Sequence, residues 1–177
     1  MSLTRRAVLI ALGLCATAAI ARTARAALTW NWHYSAPRIV AGGTFTTTDD
    51  ADGNGFYQIT AISGARNGAK ITRLQPTGTP IPGNEPFAVD NLIRASAPQL
   101  TKNGFGFATS DGDFANPFYA DFRAPPSDLE FFSTPPFTGP GNTEVAVSFT
   151  ATVPEPETAS LMGVALIALV AASRKRR

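Results

Sequence analysis

The chain has 177 residues, one cysteine, one histidine and a formal charge of +2, a length that suits one ordinary domain. With a single cysteine it can form no internal disulfide or thiolate metal site, and with a single histidine, His33, it cannot build the common histidine-rich zinc sites. The positive charge belongs to the ends: between Ala27 and Val153 seven lysines and arginines face eleven aspartates and glutamates, a net of −4, so no basic patch argues for nucleic acid.

Residues 1–26 read as an export signal. Arg5 and Arg6 form the basic region, Ala7 to Ile20 the apolar run, and Ala24-Arg25-Ala26 an A-x-A cleavage site that leaves Ala27 as the first mature residue. Cys15 lies within the apolar run behind Leu14, where a lipoprotein signal needs a small residue. The stretch Thr4 to Leu9 resembles a twin-arginine export motif, while the apolarity of the run suits the Sec translocon. Both routes stay open.

Residues 27–152 alternate with the period of strands. Leu28, Trp30, Trp32 and Tyr34 share one face, with Thr29, Asn31 and His33 on the other. Ile39 to Thr48 continues extended, and Gly42-Gly43 within it suggests a bulge or a close backbone approach. Phe56 to Ser63 and Ala69 to Leu74 form a hairpin about Asn67-Gly68. Further strands are expected at Ala88–Arg94, Gly104–Thr109, Phe118–Phe122, Leu129–Ser133 and Thr143–Thr152, punctuated by turn signals such as Asn103-Gly104 and Asp111-Gly112. All 12 phenylalanines and no helical period fall in this region, so the expected fold is all-β. An antiparallel β-sandwich, or a flattened barrel, would then be flanked by a signal helix and a C-terminal transmembrane helix.

Candidate chemistry in this domain is sparse. Asp50-Ala51-Asp52-Gly53-Asn54-Gly55 matches the opening half of a calcium loop, with Asp49, Asp50, Asp52 and Asn54 as the oxygen donors. The glutamate such a loop requires at its twelfth position is replaced by Ala61, so a polar hairpin tip is the alternative and calcium the one cofactor left open. Asp111 and Asp113 pair two carboxylates within a glycine-containing turn, where a glycosidase needs two across a cleft. No triad assembles around His33, and the domain is expected not to be an enzyme. Trp30, Trp32 and Tyr34 would stack on sugar rings if exposed, or form core if buried.

The C-terminal segment, residues 153–177, carries more information. Val153-Pro154-Glu155-Pro156-Glu157 precedes an uncharged run, Thr158 to Ser173, and a basic stop, Arg174-Lys175-Arg176-Arg177. As a helix the 16-residue run spans about 24 Å, short of the ~30 Å hydrocarbon core, and the basic stop stays cytoplasmic by the positive-inside rule. This order of motif, short apolar run and basic cluster resembles the sorting signal of PEP-CTERM proteins, with Val153, Pro154, Glu155 and Pro156 as the processing motif. The resemblance implies an exosortase as partner, transient anchoring in the inner membrane and release to the envelope or exterior. It also implies an exopolysaccharide or biofilm-matrix setting and a structural or adhesive role, with a carbohydrate- or calcium-binding module as the alternative. Blocks such as Tyr57 to Gly64, Asp90 to Ile93 and Gly104 to Phe107 are similar to a body type that recurs among these proteins.

Overall fold

The computed structural model describes residues 27–154. The expected signal helix, with Ala24 and Ala26, and the tail from Glu155 onward, with Pro156, the apolar run and Arg174 to Arg177, lie outside the described residues. Ten strands follow in chain order: β1 (Leu28–Ala36), β2 (Ile39–Thr47), β3 (Tyr57–Arg66), β4 (Ala69–Leu74), β5 (Leu92–Ile93), β6 (Phe107–Thr109), β7 (Phe114–Ala120), β8 (Ser127–Ser133), β9 (Thr143–Ala146) and β10 (Ser148–Thr152). The described residues contain no helix, and hence none long and apolar enough to cross a membrane.

Every pairing is antiparallel, and the order is β10-β1-β2-β3-β4-β6-β7-β8-β9, with β5 added to β3. The final extended stretch rolls this single sheet into a nearly closed barrel. Its first half, β9, pairs with β8, and after Val147 its second half, β10, pairs with β1. One stretch of chain thus covers both edges of the sheet, which would otherwise present unpaired amides and carbonyls. The flattened-barrel alternative describes this better than two stacked sheets.

The alternation expected of β1 is present: Trp30, Trp32 and Tyr34 are buried while Asn31 and His33 are exposed. Their rings pack inside the barrel with Phe45, Phe105, Phe107 and Phe149. Trp32 lies parallel to Phe45 at 5.1 Å between centroids, and Phe105 meets Phe45 edge-on at 4.9 Å. Such offset and edge-to-face contacts suit the ring quadrupoles and add to the burial of area. Where β2 crosses β3, Gly43 faces Gly64, and a Cβ on Gly43 would stand 1.9 Å from the Ser63 carbonyl oxygen. The Gly42-Gly43 signal therefore marks a close backbone approach. Asn67 and Gly68, at φ +48° and +87°, form the expected tight turn between β3 and β4.

Three expected strands shift. Ala88–Arg94 contracts to Leu92–Ile93, Gly104–Thr109 to Phe107–Thr109, and Phe118–Phe122 moves to Phe114–Ala120. The last shift places Pro117 mid-strand, with its carbonyl accepting from the Phe105 amide at 3.1 Å. β7 is buried on both faces. Ala115 and Tyr119 look into the barrel, whereas Phe114 and Phe118 join smaller clusters outside it. The long excursion from Gln75 to Gly106 covers that outer face, sealing Ile81 and Val89 against Ala108 and Phe114.

Candidate functional site

The aromatic stripe of β1 is core and offers no platform for a ligand. Trp30 is 1% exposed, and its indole nitrogen donates to the Thr47 hydroxyl at 3.1 Å. His33 stands exposed on the opposite face of the strand. Asp49, Asp50, Asp52 and Asn54 lie exposed on the β2–β3 connection. Asp52 Oδ1 accepts from the amides of Asn54 and Phe56 at 2.8 and 2.9 Å, so this carboxylate shapes the loop itself. Among the described residues no three or more histidine, cysteine or acidic side chains are grouped so as to hold a metal ion. Asp111 and Asp113 sit at the β6–β7 turn, where burial and then the charge of Asp111 raise the Asp113 carboxyl above its usual range. The two acids lie two residues apart in one turn, whereas glycoside hydrolysis sets its carboxylates across a cleft.

A charged cluster that the sequence reading did not identify lies inside the barrel. Glu130 on β8 is 1% exposed and takes a bidentate pair of bonds from Arg66 at the end of β3, Nε to Oε1 at 2.7 Å and Nη2 to Oε2 at 2.8 Å. The Tyr34 hydroxyl of β1 also donates to Oε1. Burial first, and then the charge of Glu130, push the Tyr34 phenol well above its ordinary value, so it remains a donor. The Arg66 guanidinium also lies 3.7 Å over the Phe132 ring. This network ties together three strands that are not neighbours in the sheet. A lone glutamate among Leu129, Phe131 and Phe132 was its only trace in the sequence.

The outer face of β7–β9 carries a notch with a mixed polar and aromatic lining and a volume of about 110 Å³. Its floor is Asn116 and Phe118 of β7, with Glu144 of β9 beside them. The excursion contributes Asn84, Phe87 and Lys102, and the β7–β8 connection contributes Phe122. Asn116 anchors the wall: its amide nitrogen donates to the carbonyls of Asn103 and Phe105, both at 3.0 Å, and its Oδ1 accepts from Asn84 at 3.1 Å. Phe87 and Phe122 are 67% and 69% exposed, although full burial of such a ring is worth about 2–3 kcal/mol.

The described barrel ends where the sorting segment begins. Thr152, the last residue of β10, pairs with Asn31, and Val153 and Pro154 leave the sheet exposed. No curated protein and no solved structure matches the chain. A family model described as the PEP-CTERM protein-sorting motif matches residues 152–177. Residues 152–177 therefore carry a PEP-CTERM sorting motif, which implies export and processing by an exosortase.

Proposed function

We propose that this is an exported envelope or extracellular protein with a non-catalytic structural or adhesive role, in the setting of an exopolysaccharide matrix. The observation that carries the reading is the junction at Thr152, where an all-β barrel passes directly into the sorting motif. Supporting it, the carboxylates best placed for chemistry serve the fold: Glu130 holds Arg66 and Tyr34, and Asp52 holds its own loop. The body arrives through the Sec translocon, is held briefly in the inner membrane by residues 158–173, and is released by processing at Val153 to Pro156. No cofactor is needed.

Fractionation of native cells with intact-mass measurement tests the reading. The parent strain should yield protein lacking both the leader and the apolar tail, whereas a strain without the exosortase should retain the tail in the membrane fraction. Equal masses in the two strains would refute processing. Loss of the mature form on removing the twin-arginine translocase would refute the Sec route, and a calcium-dependent rise in melting temperature would restore the acidic loop as a metal site.

A further inference from the structure

We propose that the notch between Phe87 and Phe122 binds a pyranose residue of an extracellular glycan. A pyranose presents a face of C–H bonds rimmed by hydroxyl groups, so its site needs accessible aromatic carbon beside donors and acceptors. Of the four large hydrophobic side chains that are exposed among the described residues, two are these phenylalanines, and both border this notch. Neither ring sits on a loose loop. The Phe87 amide donates to the Asn84 carbonyl at 2.9 Å, closing a turn. Phe122 lies within the turn closed from Arg123 to Ala120, and Arg123 is clipped to Glu144 at 2.8 Å. Backbone turns formed in advance need not be ordered on binding.

Polar capacity stands next to them. Lys102 makes no hydrogen bond or ion pair among the described residues, and Asn84 commits its amide nitrogen to Asn116 while its Oδ1 accepts nothing. A peptide anchored by an apolar side chain would need no ring of polar groups, whereas here Asn84, Lys102, Asn103, Asn116 and Glu144 border the notch beside its phenylalanines. The inference rests on the proposed export only in that glycans surround an exported protein.

Affinity electrophoresis of the full chain, extracted in mild detergent, through gels containing alginate, polygalacturonate, dextran or a soluble β-glucan tests it. At least one polymer should retard the chain, and Phe87→Ala combined with Phe122→Ala should weaken that retardation about tenfold or more. Lys102→Gln should weaken it less, and most on the uronate polymers. Because both rings are largely exposed, the double variant should keep its melting temperature. Should it fail to fold, shifts of the two phenylalanine ring resonances on adding the retarding polymer provide the same reading in the unaltered chain. No retardation by any polymer, retardation that survives the double variant, or retention by a proline-rich peptide in place of every glycan would overturn the proposal. None of these outcomes alters the fractionation result, so the two readings fail separately.

Discussion

Glu130 sits between Leu129 and Phe131 on β8, and its two oxygens satisfy an arginine and a tyrosine with almost no access to water. Removing it by Glu130→Ala strands a buried guanidinium, which should cost about 3–5 kcal/mol in urea unfolding. Tyr34→Phe leaves the ion pair intact and removes one bond to a charged group, so about 1.5–3 kcal/mol is expected. Equal losses in the two variants would show that the cluster does not act through the ion pair. On the same strand, burial raises Asp128 from 3.8 to about 6. A carboxyl raised in the folded state binds its proton more tightly there than in the unfolded chain. The domain therefore loses stability as pH climbs from about 4 to about 6 and does not recover it above that window. Asp128 is half-buried, and with solvent screening the effect is about 1 kcal/mol. Asp128→Asn should match the parent at pH 4 and exceed it at pH 7 by that amount, as read from melting curves. The sequence made the β1 stripe legible because Trp30, Trp32 and Tyr34 obey a local period. It could not reveal that Arg66 and Glu130, 64 positions apart, would meet.

At the scale of elements, glycines mark where backbones touch. Gly43→Ala places a Cβ 1.9 Å from a backbone oxygen, and Gly64→Ala places one 2.1 Å from another at φ +133°. Backbone cannot give way as a flexible side chain can, so each should destabilise by more than about 3 kcal/mol or prevent folding. Gly53→Ala is the matched control, since nothing lies within 4 Å of its added carbon, and its melting temperature should stay within about 1 °C of the parent's. Gly42-Gly43 and Asn67-Gly68 were readable because glycine and asparagine carry local backbone demands. Pro117 carries a local demand too, yet it lies mid-strand in β7. Its local rule yields to β7, whose two faces are both covered, a fact that depends on the distant Gln75–Gly106 excursion. The notch on that outer face was invisible in sequence because its residues come from four separate parts of the chain.

For the molecule as a whole, the sorting tail was legible because its information is linear, whereas closure of the barrel depends on one stretch pairing with both β8 and β1. Closure is completed by a side chain. Gln99 Nε2 donates to the Ala151 carbonyl at 2.8 Å and Gln99 Oε1 accepts from the Ala151 amide at 2.9 Å, imitating a neighbouring strand along the outer edge of β10. Gln99→Ala should speed hydrogen exchange at Ala151 roughly tenfold or more, with about 1–2 kcal/mol lost globally. Unchanged exchange there would mean that the edge is protected by other means.

The pairing of Asn31 with Thr152 has a mechanical corollary. The start of β1 and the finish of β10 emerge side by side at one pole of the barrel, on adjacent antiparallel strands. Tension between those two ends loads the ladder one rung at a time, like a zipper, because its hydrogen bonds lie perpendicular to the strands. A force drawing those two ends apart would therefore open the barrel first at the rung between Asn31 and Thr152.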